Sequence, residues 1–259
     1  MSRALLSFVV TALDLGHNRV MATTSPTTTP ARTARDRARI ALTEEIKTVA
    51  RRHLAEQGSA ALSLRAVARD VGMVSSAVYR YFPSRDELLT ALIIDAYDAV
   101  GEQAEAADQD SHDRGVAARW MNVCEAIRAW ALANTQEYAL IYGSPVPGYA
   151  APEATIVPAS RVPVVILRIL ADGVAGSEIA TGDTPSMSRT VRSDFAQLRR
   201  DAAPGVPDAV LSRGLCVWSQ VLGTINLELF GHLHNVIHDY DAFYTMQMRR
   251  ACEFLVQGA

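Results

Sequence analysis

A chain of 259 residues, 49% of them hydrophobic, is long enough to bury one large core or two unequal ones, which excludes a globally disordered polypeptide. Its net charge of -3 conceals an uneven distribution: residues 31–85 hold eleven Lys or Arg against five Asp or Glu, a net of +6, while residues 86–259 hold twelve against twenty-two, a net of -10. The longest apolar runs, near Ala4–Leu13 and Val162–Leu170, fall short of the roughly 20 residues a membrane-spanning helix needs, so no membrane partner is expected and a cytoplasmic location is. Three widely spaced cysteines, Cys124, Cys216 and Cys252, form no CxxC pair or zinc spacing and read as buried reduced thiols. A basic module ahead of an acidic body is the charge layout of a polyanion binder with a separate second domain.

In chain order, residues 1–34 are expected to lie outside the fold as a disordered leader and arm. Arg3 and the apolar run to Leu13 imitate a weak signal sequence without a cleavage site, and Met21 offers an alternative start. The Thr/Pro run 23–30 has nothing to bury, and the basic ARTARDRAR that follows suits an arm lying along a phosphate backbone. From Asp36 to Gln57, Ile40, Ile46, Val49, Ala50 and Leu54 fall at roughly helical spacing, and Gly58 stops a first helix. Ser63 caps a second, with Leu64, Val67, Ala68 and Val71 on one face, ending at Gly72. The third is short, Ser75 to Tyr81, and Pro83 breaks it. Ser84 and Glu87 then spell a capping box for a long fourth helix through Leu88, Leu92, Tyr97 and Val100. Further helices are expected near 113–142, 161–172, 189–202, 207–233 and 239–257, separated by Gly/Pro-rich joins, with no sustained strand alternation. The fold class is all-α, with a small helical domain at 35–84 and a larger helical domain at 85–259.

Between Gly72 and Pro83, helical winding puts Val74, Val78 and Phe82 on one face, expected to be core. Ser75 with Tyr79, and Ser76 with Arg80, lie away from it. That free face offers hydroxyls, one guanidinium and aromatic rings, groups that reach phosphate oxygens and base edges; Arg80 can pair with the O6 and N7 of a guanine. A helix so loaded, held across a glycine turn by a preceding helix, reads as the second element of a helix-turn-helix.

On these residues the segment from about Arg39 to Ala91, with its SLRAVARDVGMVSSAVYRYFPSRDELL, resembles the DNA-binding domain of TetR-family transcriptional regulators. The resemblance implies phosphate contacts from Ser63, Tyr79, Tyr81 and Arg85, and base-edge positions for Ser75, Ser76, Ala77 and Arg80, with Ala77 near a thymine methyl. Residues 126–152 and 218–233 are similar to the WHG type of regulatory domain, with Trp218 and Gly223 in place but Leu222 where that type carries histidine.

The resemblance implies a homodimer on an inverted-repeat operator in double-stranded DNA, a small-molecule effector that releases it, and no cofactor or catalysis. The wide apolar arc of Leu211, Leu215, Val221, Leu222, Ile225, Leu229 and Leu233 suits a self-complementary seam. Trp130, Tyr138, Tyr142, Tyr149 and Trp218 are the candidate aromatic lining of an effector pocket. His232, His234 and His238 touch on metal spacing but fall in an expected turn, so no metal site is assigned. Two other classes remain open at this level. An all-helical small-molecule enzyme predicts turnover without salt-sensitive duplex binding, although the chain has no P-loop, GxGxxG, HExxH or nucleophile elbow. A helical protein-interaction module predicts indifference to Tyr79 and Arg80.

Overall fold

The computed structural model describes residues 33–257. The expected leader and arm, and the alternative start at Met21, therefore lie outside the described residues except for Thr33 and Ala34, which open the first helix. Among the described residues the regular structure is helical, with no strand. The helices are α1 (Ala34–Gln57), α2 (Leu64–Val71), α3 (Ser75–Val78), α4 (Arg85–Asp110), α5 (Gly115–Ala133), α6 (Thr135–Tyr142), α7 (Ile156–Ala175), α8 (Arg189–Ala202), α9 (Asp208–Leu229) and α10 (Tyr240–Gln257).

Their ends follow local chemistry. Thr33 accepts from the Asp36 amide while Asp36 accepts from the Thr33 amide, a reciprocal box that closes the first turn of α1. The Ser84 hydroxyl takes the Glu87 amide at the head of α4. The helix expected over 113–142 is two helices: at Asn134 the backbone leaves helical values and the side-chain amide donates to the Trp130 carbonyl, ending α5.

The chain divides into two compact units. One comprises the described residues through Ala96 together with Gln136–Thr155; the other comprises Tyr97–Thr135 and the chain from Ile156. The segment 136–155, like residues 85–96, thus falls in one unit with the N-terminal helices, whereas the sequence reading groups everything after residue 84 together. The reason is a set of polar bonds within the first unit. Arg51 of α1 pairs with Glu137 of α6 at 3.0 Å, Thr90 of α4 hydrogen-bonds the Tyr149 hydroxyl at 2.9 Å, and Asp95 of α4 receives Lys47. Burial works to lower the Lys47 pKa, but hydrogen bonds to Asp95 and Glu44 outweigh it and hold the ammonium above its usual value. Ile46, Ala50, Leu54, Leu62, Val67, Leu88, Leu89 and Leu92 form this unit's apolar interior.

In the second unit α9 packs along α10, and α5 meets α7, α9 and α10. Cys124 and Cys252 are buried there as expected, whereas Cys216 departs from that expectation and is exposed. The Trp120 indole N–H donates to the Met248 carbonyl at 2.9 Å, and the Tyr244 hydroxyl to that of Cys124 at 2.8 Å, so α5 and α10 are fastened at depth by satisfied polar groups. Helix α7 starts five residues earlier than its pattern implied. With the turn before it, the stretch Glu153–Ala175 is long and apolar enough by composition to cross a membrane, which no run in the bare sequence suggested. Five of its apolar residues are core: Val162, Val165, Ile166, Ile169 and Leu170 are buried, while Val157 is exposed, and Arg161 reaches Asp98 and Glu105 of α4.

Candidate nucleic-acid interface

Helix α2 buries Leu64, Val67 and Ala68 and exposes Arg65 and Arg69. It stops at Gly72, whose φ of 79° lies in the left-handed region that a side chain resists. The amides of Gly72 and Met73 both turn back, to Arg69 and Ala68, closing the last carbonyls of the helix. His53 of α1, buried, meets Asp70 at 2.8 Å and holds its carboxyl below the usual range. The end of α2 is thereby tied to α1, and the turn leading to α3 has a fixed start.

Helix α3 is only four residues long and continues as turns: Arg80 N–H donates to Ala77, and those of Tyr81 and Phe82 to Val78. The expected helix to Tyr81 thus tightens three residues early. What holds it is burial of Val78 and Phe82, at 0% and 6% exposure. Ser75, Ser76, Tyr79 and Arg80 are exposed, and Ala77 and Tyr81 half-buried. Among the described residues none of these polar side chains has a hydrogen-bond or ion-pair partner within the protein. Two hydroxyls, a phenol and a guanidinium therefore face outward uncommitted.

Three side chains depart from the sequence reading. Val74 was expected in the core with Val78, but the N-cap has extended dihedrals (φ -66°, ψ 139°), so the fourfold spacing does not apply and its side chain is 71% exposed. Ser63 stands at the N-cap of α2 without making a side-chain cap bond, which leaves its hydroxyl and the first amides of the helix open. Arg85 is engaged inside the fold: Nη2 donates to Ser59 O at 2.8 Å and Nε to Leu62 O at 3.2 Å. It fastens the turn before Ser63, a role that spacing alone had no means of showing because both acceptors are backbone atoms over twenty residues away.

The candidate effector aromatics divide between the units. Tyr138, Tyr142 and Tyr149 belong to the first, with the Tyr138 and Tyr142 rings 5.2 Å apart and the buried Tyr138 phenol pushed above its usual pKa by desolvation. Trp130 and Trp218 belong to the second, Trp130 buried and Trp218 half-buried. Neither unit brings the five together. In the second unit an open groove of about 480 Å³ runs between α5 and α10, lined by Ala117, Met121, Arg249 and Val256 among others, and by none of the five aromatics. His232, His234 and His238 are exposed in the turns between α9 and α10.

A supporting helix, a left-handed glycine turn and a short helix with an outward polar face make this a helix-turn-helix protein. Residues 46–92 match the family described as bacterial regulatory proteins, tetR family, and residues 120–251 match the tetracyclin repressor-like C-terminal domain. The HTH-type transcriptional regulator Rv1816 of Mycobacterium tuberculosis is 41% identical over 199 residues, spanning 75% of this chain and 83% of the relative; the Mycobacterium bovis regulator Mb1846 matches equally. The crystal structure of SCO4313 superposes with a TM-score of 0.69 at 33% identity, covering 85% of this chain and 98% of that one. The TetR family transcriptional regulator PfmR from Thermus thermophilus shares the fold alone, with a TM-score of 0.52 at 16% identity over 82% and 96% of the two chains. The chain belongs to the TetR family of DNA-binding transcriptional regulators. It is a regulator and not an enzyme.

Proposed function

We propose that the protein is a cytoplasmic homodimeric repressor that sits on an inverted-repeat operator and leaves it when a small apolar or aromatic effector binds. The observation that carries the reading is the uncommitted outward face of α3. Ser75, Ser76, Ala77 and Arg80 meet base edges in the major groove, and Ser63, Tyr79 and Tyr81 hold phosphates; Arg85 contributes by fixing the turn that presents Ser63.

Support for self-association comes from α9, although not from the whole arc expected from the sequence: Leu211, Val221 and Ile225 are buried in the unit's own core. Cys216, Gly223, Leu227 and Phe230 fall on one helical face; Cys216, Leu227 and Phe230 are exposed, and a methyl built on Gly223 would meet nothing within 4 Å. Met246 and Phe254 add exposed apolar surface on α10. A second copy covers such a stripe and spaces two α3 elements about one DNA turn apart, or a multiple of it. The aromatics Trp130, Tyr138, Tyr142, Tyr149 and Trp218 remain candidate effector contacts, each considered within its own unit. Release then requires only that the effector prefer a conformer with misplaced reading helices, and a coupling of about 1–3 kcal/mol changes operator affinity roughly 5- to 150-fold.

The test is nuclease footprinting on the promoter region of the protein's own gene. The expected result is a protected segment with two-fold sequence symmetry at a stoichiometry of two or more chains. Protection of a site without symmetry by a single chain contradicts the dimeric reading.

A further inference from the structure

We propose that Val74 reads the C5-methyl of a thymine, acting as a specificity-determining residue of the operator contact; the assignment rests on the DNA-binding reading above. Two observations carry it. At 71%, Val74 is the most exposed of the large hydrophobic residues of the described chain, although Val78, one turn further along, is fully buried. It also occupies the N-cap of α3, with extended dihedrals and no side-chain cap bond. Valine is among the poorest residues at that position, where Ser, Thr, Asp or Asn would accept an amide hydrogen bond and stabilise the helix. A local rule broken at the head of the exposed reading element is a mark of function rather than of folding.

The chemistry selects the ligand. Val74 Cγ methyls have no hydrogen-bonding capacity, and they precede Ser75 and Ser76, which do. In the major groove a duplex displays donors and acceptors at every base pair, and one apolar group only, the thymine methyl. Residues at the start of a recognition helix are the ones that meet base edges. The carbonyl of Val74 accepts from the Ala77 amide at 2.8 Å, so the backbone that carries the side chain is itself held in place. Burying one methyl against Val74 discriminates thymine from any base lacking it by the scale of one such group removed from water, about fourfold per half-site.

The test begins with duplexes enriched from a random pool by the wild-type protein. Symmetric thymine pairs in the enriched site are then replaced, one pair at a time, by deoxyuridine, which deletes the methyl and keeps every hydrogen-bonding group. Binding is measured for wild type, Val74→Ala and Val74→Ser. One pair is expected to weaken wild-type binding about 15-fold and to leave both variants within about twofold. Val74→Ser, with a better cap, should unfold no earlier than wild type, which separates reading from folding. Indifference of wild type to deoxyuridine at every thymine overturns the proposal, as does a full penalty in both variants. A protein that enriches no duplex at all removes the DNA-binding reading itself, whereas one that binds tightly and ignores the methyl removes only the role given to Val74.

Discussion

Replacing Arg80 by Ala is expected to weaken binding to the preferred duplex by about 1–3 kcal/mol per half-site while changing binding to unrelated duplexes far less. Arg80 is exposed and has no carboxylate or carbonyl partner among the described residues, so its removal leaves no buried group stranded and thermal stability should stay within about 0.5 kcal/mol. The guanidinium fork matches the paired acceptors of guanine, and its loss should relax preference at one base pair of each half-site. Tyr79→Phe supplies the contrast. If its hydroxyl holds a phosphate as proposed, the change removes a contact without a charge, so it should weaken all duplexes evenly and leave the salt dependence unchanged. Fluorescence anisotropy with the preferred duplex and a scrambled one separates the two patterns. An Arg80→Ala loss equal on both duplexes would move Arg80 from base reading to phosphate holding.

Arg119→Ala should produce the largest loss of stability, about 3–5 kcal/mol, with the second unit melting on the order of 10 °C lower. The Arg119 and Asp108 side chains are 4% and 2% exposed and joined by two hydrogen bonds, Nε to Oδ1 at 2.7 Å and Nη2 to Oδ2 at 3.2 Å. Nη1 adds Asp172 at 2.8 Å, so one side chain ties α5 to α4 and α7. Burial works against the charge on Arg119, yet the two carboxylates outweigh it and hold the guanidinium above its ordinary pKa. Without Arg119, the buried Asp108 keeps only Arg168, itself half-exposed, at 3.5 Å. The penalty arises from that stranded carboxylate. The pair of changes Asp108→Leu and Arg119→Met, which removes both charges, should therefore recover much of the loss. Calorimetry of the single and double variants checks this; a double variant as unstable as the sum of both singles contradicts it.

Much of the fold was legible because helical ends carry local signals. Gly58, Gly72, Ser84 and Pro207 mark termini within a residue or two of their observed places, and α8 runs over the span its pattern indicated. The departures occur where a helix starts off its pattern or a distant group decides. Val74 obeys the spacing of a core residue, but spacing presumes helical dihedrals, and the helix begins one residue later. Arg85 reads as a free cation until the carbonyls of Ser59 and Leu62 are folded beside it. The placement of 136–155 depends on Glu137 finding Arg51 and Tyr149 finding Thr90, partners 86 and 59 positions away. Periodicity has no access to such pairings. The exposure of Ser75, Ser76, Tyr79 and Arg80 was legible, because they need only point away from the buried Val78 and Phe82, and local winding determines that.

The central claim is that the outward side of α3 binds a duplex through its phosphates as well as its bases. The most direct test is affinity for the enriched duplex as a function of salt concentration, compared with the protein carrying Ser76→Ala, Tyr79→Ala and Arg80→Ala together. Phosphate contact releases counterions, so the logarithm of wild-type affinity should fall steeply and linearly with the logarithm of salt, while the triple variant binds far more weakly with its fold intact. Salt-independent binding, or a triple variant indistinguishable from wild type, would contradict the account.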